Sequence, residues 1–91
     1  MVKEVVVREA VVSHERGLTT RLAALLTGAV KPFSADVTVK HGSVRVDAKS
    51  LLGLLSLGAR AGSIITIVAE GHDAVAAVDI IVRILQSSGS V

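Results

Sequence analysis

A chain of 91 residues with a net charge of +2 and no cysteine makes one domain, 1–91, with no disulfide framework, thiolate zinc site or thiol nucleophile. Half of its residues are apolar, chiefly Val, Leu, Ala and Ile with Phe33 as the only aromatic, which suits a small aliphatic core and excludes disorder. Ten basic and eight acidic residues are spread along the chain without a basic run or an aromatic ladder, so no direct nucleic-acid function is expected.

From Val2 to Val12 the chain is valine-rich with interspersed charges, which predicts a strand. Its charges break the apolar run, so it is no signal peptide, and no stretch approaches ~18 uninterrupted apolar residues. A soluble cytoplasmic protein without membrane contact is the expectation. Ser13 to Leu18 reads as a loop, after which Thr19 or Thr20 can cap a helix through its hydroxyl. Leu22, Leu25, Leu26 and Ala29 recur at helical spacing until Pro32, which lacks an N–H, ends the helix.

Asp36 to Asp47 alternates apolar and polar residues on either side of Gly42, the pattern of a β-hairpin. Ser50 caps a short apolar segment that stops at Gly58. Ser63 to Glu70 reads as a fourth strand, and Asp73 caps a last helix with Ala77, Ile80, Ile81, Ile84 and Leu85 as its buried stripe. The tail from Ser87 to Val91 is expected to fray. The order is βαββαβα, an α+β sandwich with one sheet face packed and the other wet. Residue patterns alone leave a ferredoxin-like fold open as an alternative.

Two segments resemble a known family, the histidine-containing phosphocarrier proteins (HPr) of the bacterial sugar phosphotransferase system. That family carries G-L-H-x-R-P-A at the head of its first helix, where this chain has Gly17-Leu18-Thr19-Thr20-Arg21-Leu22-Ala23. Its regulatory motif, close to A-K-S-[hydrophobic]₂-G-x-x-S-L-G, is matched by Ala48-Lys49-Ser50-Leu51-Leu52-Gly53-Leu54-Leu55-Ser56-Leu57-Gly58. The run GSIITIVAEG also matches the family's last strand and its exit. The resemblance implies the HPr open-faced β-sandwich, a four-stranded antiparallel sheet covered by helices on one face.

The resemblance also exposes a departure. The family's phosphoacceptor histidine falls on Thr19 and its motif proline on Leu22, while the arginine is kept as Arg21. An imidazole accepts a phosphoryl group and passes it on; a threonine hydroxyl is weakly nucleophilic without a base, and its phosphate ester is a poor donor. What remains is an anion-friendly helix start, with Thr19, Thr20 and Arg21 as candidate phosphate contacts, although the plainer and preferred reading is that the threonines cap the helix and Arg21 is a solvated surface charge. His14, His41 and His72 read as exposed loop residues, and no second ligand group supports a metal at His72, Asp73 and Glu70. No cofactor or metal is implied.

Ser50 matches the serine that an ATP-dependent HPr kinase/phosphorylase modifies in the Gram-positive branch, whose product serves a LacI-type carbon catabolite regulator. The same resemblance implies docking through Arg21, Ala24, Leu51, Leu52 and Leu55. The chain is thus similar to catabolite-repression HPr-like members (Crh) that lack the active histidine, and it is expected to be a non-catalytic regulatory module signalling through Ser50. The alternatives are a phosphocarrier whose histidine was replaced at Thr19, or whose role passed to a residue such as His14, and a recruited domain that uses neither site. A valine-rich first strand can pair or swap between chains, so a monomer or a weak or swapped dimer is expected.

Overall fold

The computed structural model describes residues 4–87. The expectations for Val2, Lys3 and Ser88 to Val91 lie outside them. The elements run β1 (Val5–Val11), α1 (Thr20–Val30), β2 (Asp36–His41), β3 (Val44–Asp47), α2 (Leu51–Ser56), β4 (Ile64–Glu70) and α3 (Ala74–Gln86). This is the βαββαβα order read from the residues.

The strands form one sheet in the order β1-β4-β2-β3, every neighbouring pair antiparallel. Central β4 carries the alternation most clearly: Ile65, Ile67 and Ala69 are buried while Ile64 and Glu70 are exposed. Full burial of each isoleucine stabilises the fold by about 1.5–3 kcal/mol. All three helices lie on that one face and join a single core with Val37, Val39 and Leu54. The other face stays open, as an open-faced sandwich requires.

The helix boundaries follow the capping chemistry. Thr19, not Thr20, is the N-cap of α1; its Oγ1 accepts from the Leu22 N–H at 3.2 Å. The helix ends at Val30, with Lys31 as C-cap just before Pro32. The buried stripe of α1 is Leu22, Ala23, Leu26, Thr27 and Val30, so the expected Leu25 faces outward. A similar rotation operates in α3, where Ala74, Ala77, Val78, Ile81 and Leu85 are buried and the expected Ile80 and Ile84 are only half-buried. In both helices the apolar arc is wider than the packed face, so periodicity alone cannot say which edge of it meets the sheet.

Asp73 sits at the expected cap position but makes no side-chain cap bond within α3. Its carboxylate accepts instead from the backbone N–H groups of Ser34 and Ala35, both at 2.9 Å, lashing the start of α3 to the entry of β2. The Ser34 N–H bond is the main reason that the Asp73 carboxyl lies below its ordinary value; desolvation opposes it, and the Ala35 N–H, the nearby His72 and the Ser34 hydroxyl add to the lowering.

Candidate functional site

The loop that leads into α1 is fixed from three sides. Gly17 has φ +74°, and a Cβ there would stand 2.7 Å from the Ala59 carbonyl oxygen and 2.8 Å from the Arg60 Cα. Only glycine admits that approach. The Leu18 N–H completes the contact by donating to the Ala59 carbonyl at 3.1 Å. On the other flank the Ser13 N–H donates to the Leu85 carbonyl at 2.9 Å, tying the loop to the end of α3.

The segment from Leu57 to Ser63 is itself held in place. His41 donates through Nδ1 to the Leu57 carbonyl at 2.8 Å, and the Gly62 N–H donates to the Val12 carbonyl at 2.8 Å. Thr19 is therefore placed by β1, by the exit of α2 and by α3 together. The Ala23 N–H is taken by the Thr19 carbonyl and the Leu22 N–H by its hydroxyl. Among the described residues the N–H groups of Thr20 and Arg21 have no such partner, which is the ordinary state of a helix start. Thr20 and Arg21 are exposed and Thr19 is half-buried.

The packing of Gly17 also brings Arg60 beside the α1 start, with Arg16 next to Gly17 in the chain. Both arginines are exposed. Neither was singled out from the sequence, because Arg60 is distant along the chain and no local pattern points from it to Thr19.

The histidines differ from expectation. His14 is not an exposed loop residue: it is 8% exposed, and Nε2 lies 2.8 Å from the Ile84 carbonyl. A carbonyl can only accept, so Nε2 carries the proton and donates. His41 is half-buried and holds Leu57, as described above. His72 alone is exposed, 2.9 Å from the Ser34 hydroxyl. Among the described residues no three His, Asp or Glu side chains are grouped to hold a metal.

Ser50 caps α2, its Oγ accepting from the Gly53 N–H at 3.0 Å. A side chain at Gly53 would crowd both Ser50 Oγ and Val46 Cβ at 3.1 Å, so the glycine lets α2 lie close on β3. Of the leucines in α2 and its exit, Leu54 and Leu57 enter the core and Leu55 is half-buried. Leu51 and Leu52 are exposed, Leu52 at 79%, and Ala24 and Leu25 are exposed on α1, which packs beside α2. The two candidate sites bracket α2, with Ser50 at its start and the Gly17–Ala59 contact just beyond its end. That helix is about 9 Å long.

Arg21 lies in the first turn of α1 and Ser50, Leu51 and Leu52 at the start of α2, two helices in contact with one another. A shallow groove lined by Asp36, Thr38, Arg45, Val46, Asp47 and Lys49 includes none of them. Among the described residues no helix is long and apolar enough to cross a membrane.

Residues 6–87 match the family described as the PTS HPr component phosphorylation site. The chain is 35% identical over 82 residues to the phosphocarrier protein HPr of Treponema pallidum, a match covering 90% of this chain and 93% of that protein. It is 30% identical over 79 residues to the HPr-like protein Crh of Halalkalibacterium halodurans, covering 87% and 94% respectively. The crystal structure of a phosphocarrier protein HPr from Bacillus anthracis has a TM-score of 0.86 at 36% identity, over 90% of this chain and 98% of that one.

Proposed function

We propose, for a chain that belongs to the HPr family of the phosphotransferase system, that it acts as a regulatory binding module and not as a phosphoryl carrier. Members of this family carry phosphate or bind partners and are not enzymes in themselves. The reading is supported by one observation: the residue heading α1 is a threonine whose hydroxyl caps the helix, and the motif resemblance sets that threonine against the family's histidine. Its Oγ1 already accepts from Leu22, and no described side chain bonds to it as a base. The buried His14, with Nε2 committed to Ile84, is a poor substitute acceptor.

In this reading Ser50 is the regulatory site and Arg21, Ala24, Leu51, Leu52 and Leu55 form the docking surface. The partners are proteins of the phosphotransferase system or a LacI-type catabolite regulator, with an HPr kinase/phosphorylase acting on Ser50. A phosphate at Ser50, which is half-buried beside the exposed Leu51 and Leu52, adds roughly −1.5 to −2 charge and in this reading acts as a surface signal without refolding the domain. The test is labelling. Phosphoenolpyruvate with Enzyme I should leave the protein unlabelled, whereas ATP with an HPr kinase should label it, and Ser50→Ala should abolish that label. Failure of the kinase to modify the protein removes the serine arm of the proposal.

One observation favours a second reading. The frame of a phosphate site (Gly17, the α1 cap and Arg21) is intact, and relatives matching nearly the full chain are named phosphocarriers. A carrier with its histidine replaced at Thr19 would fit. Thr19→His separates the two: phosphoryl transfer to the variant means that only the nucleophile was lost.

A further inference from the structure

The segment Lys3-Glu4-Val5-Val6-Val7-Arg8-Glu9 has a charge pattern about its centre. Read backwards, it has the same apolar centre with every charge reversed. Glu4 exchanges with Arg8, Lys3 with Glu9, and Val6 stays at the middle.

The fold places this segment on an edge. In the order β1-β4-β2-β3, β1 has a neighbour on one side only. Its register against β4 is continuous from Val5 to Val11, with no bulge, and the strand contains no proline. The Val12 N–H donates to the Ser63 carbonyl at 2.9 Å, and the Val12 carbonyl accepts from Gly62. Because strand backbones alternate, Val6, Arg8 and Ala10 likewise turn their N–H and C=O groups toward β4, and Val5, Val7, Glu9 and Val11 turn theirs to the open edge.

The lower part of that edge is already covered. The Val11 N–H donates to the Gln86 Oε1 at 3.2 Å and the Ser13 N–H to the Leu85 carbonyl, both at the end of α3. Among the described residues, nothing covers the part from Val5 to Glu9, within the charge-reversing segment. Val5 and Val7 are 56% and 63% exposed on the outer sheet face, where the alternation of an ordinary wet face would place polar residues.

We infer that β1 pairs antiparallel with β1 of a second copy of this chain, about a two-fold axis through Val6, so that two four-stranded sheets become one continuous sheet. Val5 stands opposite the second copy's Val7 and Val7 opposite its Val5, giving about four main-chain hydrogen bonds from groups that are otherwise open. Arg8 stands opposite the second copy's Glu4, and by symmetry Glu4 opposite its Arg8. In sequence the same reversal continues to Lys3 and Glu9.

Charge selects this register. Centring the pair on Arg8 sets two guanidiniums against each other, and centring it on Val7 leaves Arg8 opposite a valine and Glu4 opposite Ala10. A charge pointing inward from an edge strand normally discourages pairing. Here Arg8, which bonds to Asp79 at 2.8 Å in the single copy, meets an opposite charge in the one favoured register and so fixes it. The interface is small, so association is weak, in the range of about 0.01–1 mM.

The experiment is sedimentation equilibrium on the full chain and on Glu4→Arg and Arg8→Glu, each checked for folding by circular dichroism. Each single reversal sets like charges opposite one another twice across the axis and should weaken association by about tenfold or more. An equimolar mixture of the two variants restores both opposite-charge pairs in the heterodimer and should associate within about threefold of the unaltered chain. Val7→Pro removes an outward N–H without touching the ladder to β4, and should also be monomeric. It keeps the test decisive should Arg8→Glu, deprived of its Asp79 partner, fail to fold. A chain monomeric at about 1 mM, single reversals that associate undiminished, a mixture that does not recover, or a Val7→Pro that dimerises would each overturn the inference. Exchange of a whole strand between copies predicts undiminished association of the reversed variants, and so falls among the refuting results.

Discussion

Replacing Gly17 by alanine tests whether the loop before α1 is held as described. An L-residue in the left-handed region, here φ +74°, costs about 1–2 kcal/mol. The added Cβ would stand 2.7 Å from the Ala59 oxygen and 2.8 Å from the Arg60 Cα, both backbone atoms that cannot swing aside. Forcing them apart costs a further ~1–3 kcal/mol. The hydrogen bond from Leu18 to Ala59 is strained as well, at about 1 kcal/mol. The sum is about 3–6 kcal/mol, a large share of the ~5–15 kcal/mol that holds a domain together.

Gly42→Ala provides the control. Its φ is +60°, but nothing lies within 4 Å of the added Cβ, so only the backbone cost of about 1–2 kcal/mol applies. Thermal unfolding of the two variants isolates the close approach. At roughly 4–8 °C per kcal/mol, Gly17→Ala should melt at least about 8 °C below Gly42→Ala. Equal melting temperatures would refute the idea that the loop is clamped against Ala59 and Arg60.

Two other expectations follow from the same geometry. Thr19→Ala should destabilise the protein by about 1 kcal/mol in urea unfolding, while Thr19→Asp, which can still accept from Leu22, should cost much less. Asp73 makes stability depend on acid: its folded pKa lies below the ordinary carboxylate value, so between the two values the unfolded chain binds more protons. Its contribution is therefore present above about pH 4 and fades as pH falls through the lowered folded value. Asp73→Asn should melt below the unaltered protein at pH 6, and the gap should close toward pH 2; a gap independent of pH would contradict the lash to Ser34 and Ala35.

Much of the molecule was legible along the chain because it depends on short-range chemistry. Strand alternation, the Gly42 turn and the hydroxyl cap at Ser50 are decided by residues within about four positions and formed as read, and of the two threonines read as possible caps of α1 the structure uses Thr19. Asp73 shows where that logic stops: its cap geometry was plausible locally, but Ser34 and Ala35, brought near by the sheet, competed for the carboxylate and won it. His14 shows the same limit, since a polar loop residue became a buried donor once the end of α3 lay across it.

The sequence by itself determined the element order, the threonine-capped start of α1, and the serine that opens α2. It determined these because they are properties of neighbouring residues and of side-chain chemistry. Tertiary structure alone decided that Arg60 lies beside Gly17, that Leu51 and Leu52 stay outside while Leu54 and Leu57 enter the core, and that the segment around Val6 lies in an edge strand. Those facts depend on which strand lies beside which and on which arc of each helix meets the sheet. Such choices are made by burial summed over the whole chain, and no short stretch of it contains them.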